Sequence, residues 1–207
     1  MADVRSIVRG PAGAVLNLVC VVLIAVLPSC SGEQPARDPQ TDIDPQANAT
    51  LAGRNKSLPC LACHGAEGIS DYDAWPDLAG QKAEYLAKQL RDFRDGRRQD
   101  PWMSPMAIVL DDQDIDDLAV YFSRIDGLSG GPDSVPQPAT VCVACHAARS
   151  GEANPLWPSI AGQNRRYIAK QLGDFRAGRR TDPIMAPLAG GLTDQDIETL
   201  AAFYAGT

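Results

Sequence analysis

The sequence predicts an all-α protein made of two tandem small domains related by internal duplication. Three observations carry that reading. The motif Cys-x-x-Cys-His occurs twice, as Cys60-Leu-Ala-Cys63-His64 and as Cys142-Val-Ala-Cys145-His146, at an offset of 82 residues. The same offset brings the rest of the two halves into register without a gap over the core. Apolar residues in both halves recur at helical spacing, and neither half shows a run of alternating strand pattern.

The elements follow in chain order. Residues 1–30 read as a signal peptide: Arg5 and Arg9 precede an apolar run from Ala12 to Leu27 whose one polar side chain is Asn17. That run is slightly longer than an ordinary signal core and shorter than a typical membrane span of roughly 20 residues, so an uncleaved anchor is a second reading. Leu27-Pro28-Ser29-Cys30 resembles a bacterial lipobox, with Pro28 as a departure. Lipidation of Cys30 and ordinary cleavage near Ser29 to Gly32 are both open. Lipidation would leave no free thiol, since Cys20 would be lost and the other four cysteines belong to the two motifs. Residues 31–49 read as a flexible acidic, proline-punctuated tether, too polar to order itself.

The first domain is placed at 50–126, a Gly/Pro-rich linker at 127–132 and the second domain at 133–207. In the first domain a helix is predicted from Gln81 to about Asp95, with Tyr85, Leu86, Leu90 and Phe93 on one face and Gly96 as its stop. A second runs from Asp112 to Ile125 with Ile115, Leu118, Ala119 and Phe122, and its acidic first turn suits the positive end of the helix dipole. The second domain repeats both. The match includes Trp75-Pro76 with Trp157-Pro158, Ala79-Gly80-Gln81 with Ala161-Gly162-Gln163, Lys88-Gln89-Leu90 with Lys170-Gln171-Leu172, and Asp100-Pro101 with Asp182-Pro183. Domains this small bury little apolar surface alone.

Cys-x-x-Cys-His is the attachment signal for c-type haem. The thiols of Cys60 and Cys63, and of Cys142 and Cys145, would add to the vinyl groups of two haems, and His64 and His146 would be axial ligands to iron. The chain has only two histidines, so neither haem can take a second one. A zinc ribbon is the competing reading of paired Cys-x-x-Cys, and the export signal, the adjoining histidines and the repeated methionines argue against it. Methionine is the other common axial ligand. Of Met1, Met103, Met106 and Met185, only Met103 and Met185 correspond across the repeat, both in the setting Asp-Pro-x-Met-x-Pro. They are assigned as the sixth ligands. Met106 aligns with Leu188 and reads as packing. The carbonyls of Pro76 and Pro158 are candidate acceptors for the histidine ring N–H. Trp75, Trp157, Tyr85 and Tyr167 either line the haem crevice or pack generically. The pairs Arg97-Arg98 and Arg179-Arg180 either approach haem propionates or sit in solvated turns.

Charge bounds the partners. The chain carries 19 Lys and Arg against 26 Asp and Glu, a formal net charge of −7, which argues against nucleic acid. The first domain is acidic and the second near neutral. Asp111, Asp112, Asp114, Asp116 and Asp117 form either a steering patch or, as we prefer, a solvated helix start.

Each half resembles a class I cytochrome c, in the order Cys-x-x-Cys-His, Trp-Pro-x-(Leu/Ile)-Ala-Gly-Gln, Tyr-(Leu/Ile)-Ala-Lys-Gln-Leu and Asp-Pro-x-Met. Two such halves in tandem over 50–207 are similar to the cytochrome c4 family. The resemblance implies two tandem class I cytochrome c domains about a pseudo-twofold axis with haems facing across the interface. It also implies a periplasmic location and transfer of electrons from a quinol–cytochrome c reductase toward a terminal oxidase. Three departures stand out: Ala147 where glycine is usual, a proline-rich approach to Cys142 that shortens the first helix of the second domain, and the tether with its possible membrane attachment. The functional expectation is a non-catalytic electron carrier, with the electron-accepting haem subunit of a periplasmic dehydrogenase as the alternative. A di-haem peroxidase would need an open iron and a spare histidine.

Overall fold

The computed structural model describes residues 44–128, 135, 137–146 and 154–206. The signal segment, Cys30, tether residues 31–43, most of the linker and Ala147 lie outside the described residues. Those described form nine helices and no strand. None of these helices is long and apolar enough to cross a membrane.

Helix α1, Pro45–Lys56, begins inside the segment expected to be tether. The first five residues of that helix correct the boundary, and the cause is local. The Asp44 side chain accepts from the Gln46 N–H at 3.0 Å, and Pro45 occupies the first turn, where its missing N–H is no loss. What secures α1 is close approach to α5, Asp112–Ser123. A Cβ on Gly53 would lie 2.1 Å from the carbonyl oxygen of Asp117, so only glycine lets the two backbones meet there. At the end of α1, Lys56 reaches Asp114 at 2.8 Å and Asp117 at 2.7 Å.

Helix α2, Leu58–His64, carries the first motif. Helix α3, Ala83–Arg94, ends before Gly96, whose φ of +74° stops it as expected. Helix α4, Met103–Ala107, is a short turn before α5. The second half repeats the plan at the same offset: α6, Val143–His146; α7, Arg165–Arg176; α8, Met185–Gly190; α9, Asp194–Ala205. Among the described residues nothing in the second half corresponds to α1. The residues before Cys142 form turns, in keeping with the shortened first helix expected from the prolines.

Each half has its own small core. Leu86, Ile115, Leu118 and Phe122 are buried in the first, and Ile168, Leu200, Ala201 and Tyr204 in the second. The acidic cluster at the start of α5 is neutralised within the fold. Asp112 pairs with Arg94 at 2.9 Å, Asp116 with Arg91 at 2.7 Å, and Asp111 and Asp114 close a capping box.

Candidate functional site

Each motif ends its helix so that the histidine is buried beneath it. His64 is 5% exposed and His146 8%. The Nδ1–H of His64 donates to the Pro76 carbonyl at 2.8 Å, and that of His146 to the Pro158 carbonyl at 2.9 Å. A carbonyl only accepts, so Nδ1 carries the proton and Nε2 keeps its lone pair for a metal. Burial pushes the His64 pKa down, against the Pro76 carbonyl and the charge of Asp77. Burial does the same at His146, where the charge of Lys82 adds to it. Both rings are therefore held as neutral imidazoles. Burial raises the pKa of the Cys60 and Cys142 thiols.

The methionines sit in matched turns. The Asp100 carboxylate accepts from the backbone N–H groups of Trp102 at 3.0 Å and Met103 at 3.2 Å. Asp182 accepts from Ile184 at 2.9 Å and Met185 at 3.0 Å. Met106, one turn further along, makes no such contact through its N–H and is 42% exposed, as is its counterpart Leu188 at 50%.

Both histidines, all four motif cysteines, Met103 and Met185 line one continuous cavity of about 1110 Å³ that runs between the halves. That exceeds the roughly 300–1,000 Å³ of an ordinary single-ligand pocket. Trp75, Tyr85, Trp157 and Tyr167 line it as well.

The two arginine pairs divide by role. Arg97 binds Asp92 at 2.8 Å and Arg179 binds Asp174 at 2.8 Å, so the first member of each pair braces its own turn. The second member crosses the interface. Arg98 lies over Phe93 and donates to Gln89, Gln171 and the Tyr167 hydroxyl. Arg180 lies over Phe175 and donates to Gln171, Gln89 and the Tyr85 hydroxyl. Among the described residues neither meets a carboxylate. Burial alone would push the Tyr167 phenol up, but the charges of Arg98 and Arg180 outweigh it and pull it down. Two half-buried cations sharing two acceptors need an anion, and the propionates of a haem would supply one. Paired thiols one turn apart, a neutral imidazole, a thioether and these cations around an apolar cavity fit covalent haem in each half.

A second set of cross-interface contacts surrounds the histidine acceptors. Gln81 hydrogen-bonds Ser159, and Gln163 hydrogen-bonds Asp77, through backbone atoms. The glutamines were visible in the sequence only as part of the repeated Ala-Gly-Gln. Their position comes from a turn that needs a left-handed glycine. Gly80 and Gly162 have φ of +71° and +79°, and their N–H groups bond the carbonyls of Phe122 and Tyr204.

The family model for cytochrome c matches residues 49–125 and 138–205. A cytochrome c4 from Pseudomonas aeruginosa is 35% identical over 179 residues, spanning 77% of this chain and 89% of that protein. The chain belongs to the cytochrome c4 family. The crystal structure of reduced recombinant cytochrome c4 from Pseudomonas stutzeri superposes with a TM-score of 0.66 at 37% identity, covering 76% of this chain and 97% of that one. A thiosulfate dehydrogenase electron acceptor from Stutzerimonas stutzeri is 32% identical over 184 residues, spanning 78% of this chain and 85% of that protein. As a cytochrome c4, the chain holds two haems c in two class I cytochrome c domains and is an electron-transfer protein that works with redox partner proteins.

Proposed function

We propose that the chain carries electrons on the periplasmic side of the membrane, from a quinol–cytochrome c reductase toward a terminal oxidase. In this reading Cys60 and Cys63 hold the first haem and Cys142 and Cys145 the second. His64 with Met103, and His146 with Met185, are the axial pairs. The signal-like leader supports export, and Cys30 or a retained leader is the proposed membrane attachment. The observation that supports the reading is that both histidines, Met103, Met185 and all four motif cysteines line one cavity, so two haems held by them would share one enclosure.

Bound haem iron supplies the chemistry, a one-electron change between ferric and ferrous. The chain's residues make that change cheap. The prolyl carbonyls fix the imidazole rings, so no ligand has to turn. The Asp100 and Asp182 carboxylates hold the backbone of Met103 and Met185, whose thioethers would favour the ferrous state. Arg98 and Arg180 would balance the charge of haem propionates.

The test is an optical spectrum of the haem-loaded protein, oxidised and reduced, with carbon monoxide added to the reduced form. Two low-spin haems with a weak far-red methionine–iron band and no carbon monoxide binding are expected. A high-spin component or prompt carbon monoxide binding overturns one methionine assignment.

The similarity to a thiosulfate dehydrogenase electron acceptor favours a second reading, an electron-accepting partner of a periplasmic dehydrogenase. Stopped-flow reduction separates the two. Rapid reduction by a thiosulfate dehydrogenase with thiosulfate, and slow reduction by quinol–cytochrome c reductase, would move the second reading to the front.

A further inference from the structure

We propose that Gln81 and Gln163 are positioning residues that act across the interface, each setting the electron-donating strength of the axial histidine in the other half. This rests on the reading of His64 and His146 as iron ligands.

One peptide group carries the argument on each side. The Pro76 carbonyl accepts the Nδ1–H of His64 at 2.8 Å. The N–H of that same peptide, on Asp77, donates to Gln163 Oε1 at 2.9 Å. The relay is therefore histidine N–H, peptide, glutamine carbonyl, and the glutamine belongs to the other half. The mirror holds on the second side. The Pro158 carbonyl accepts from His146 at 2.9 Å, and the Ser159 N–H donates to Gln81 Oε1 at 2.9 Å.

Each glutamine is locked in place. Gln81 is 4% exposed and Gln163 3%. The Nε2 of Gln163 donates to the Asp77 carbonyl at 3.0 Å, and that of Gln81 to the Ser159 carbonyl at 2.7 Å. Each Oε1 also accepts the N–H of the next residue in its own chain, Asn164 at 2.8 Å and Lys82 at 3.0 Å. Two N–H groups converging on one amide atom fix which end is oxygen.

A peptide is conjugated, so drawing on its N–H makes its carbonyl the stronger acceptor. A stronger acceptor on Nδ1–H makes the imidazole a better donor to the metal. That favours ferric iron and lowers the potential. Gln163 thus acts on the haem attached at Cys60 and Cys63, and Gln81 on the haem attached at Cys142 and Cys145.

The experiment uses the full chain loaded with both haems. Potentials are assigned to each haem through its paramagnetically shifted methyl resonances, and the histidine Nδ1–H resonance is followed in the same spectra. Gln163→Leu is expected to raise the potential of the first haem by roughly threefold in the ferric-to-ferrous ratio, about 28 mV at 59 mV per tenfold. It should move the His64 Nδ1–H signal upfield and leave the second haem unchanged. Gln81→Leu is expected to do the reverse, and provides an independent trial if the first variant folds poorly. Equal shifts at both haems, shifts confined to the variant's own half, or no shift would overturn the proposal. If the unaltered protein shows no shifted ring resonances from His64 and His146, the ligand reading itself fails. If it shows them and the leucine variants leave both potentials in place, the relay alone fails.

Discussion

Asp100 and Asp182 set Met103 and Met185, the proposed iron ligands, in matched turns. Each carboxylate gathers the first two free N–H groups of a short turn, and the second of these belongs to Met103 or Met185. Met106 lines the same cavity but has no counterpart to this anchor, and Leu188 stands at its place in the repeat. Met103→Ala is therefore expected to produce a high-spin first haem that binds carbon monoxide. Met106→Ala should leave the low-spin spectrum intact. An optical titration with carbon monoxide checks both, and the opposite pattern would exchange the two assignments.

At the scale of elements, α5 and α9 are matched helices with different neighbours. Both start in a capping box, Asp111 with Asp114 and Thr193 with Asp196. Thr193→Ala removes the acceptor for the Asp196 N–H and should cost about 1 kcal/mol, measured by denaturant unfolding of the haem-loaded protein. A cost near zero would mean that packing alone holds the start of α9. The helices themselves were legible because Ile115, Leu118 and Phe122, and their partners Ile197, Leu200 and Tyr204, recur at helical spacing. Helix α1 was not. It has no continuous apolar stripe, and its hold comes from Gly53 seated on the Asp117 carbonyl, a contact with a residue remote in sequence. The polar, proline-punctuated composition of residues 31–49 masked its start.

Across the whole molecule, matched ion clusters brace both halves. Burial would raise the pKa of Asp92, but Lys88 and Arg97 outweigh it and hold the group below its ordinary 3.8. Lys170 and Arg179 do the same for Asp174. A folded value below the unfolded one means that this stability is fully present above the unfolded pKa and is lost as pH falls through the folded one. Thermal midpoints are thus expected to hold down to about pH 4 and to drop below it. Asp92→Asn with Asp174→Asn should lower the midpoint at neutral pH and flatten the acid slope. An unchanged slope would place the acid sensitivity elsewhere.

The two attachment motifs, the duplication, the helical periodicity and the correspondence of Met103 with Met185 are all legible along the chain, because each is a local pattern or a comparison of one half with the other. That Arg97 and Arg179 serve their own turns while Arg98 and Arg180 cross the interface emerges only once the chain is folded. So does the grip of Gln81 and Gln163 on the loop whose prolyl carbonyl accepts from the opposite half's histidine. A repeat aligns equivalent residues but carries no information on how two copies face each other. That depends on which polar groups find partners once the two halves close on a shared cavity.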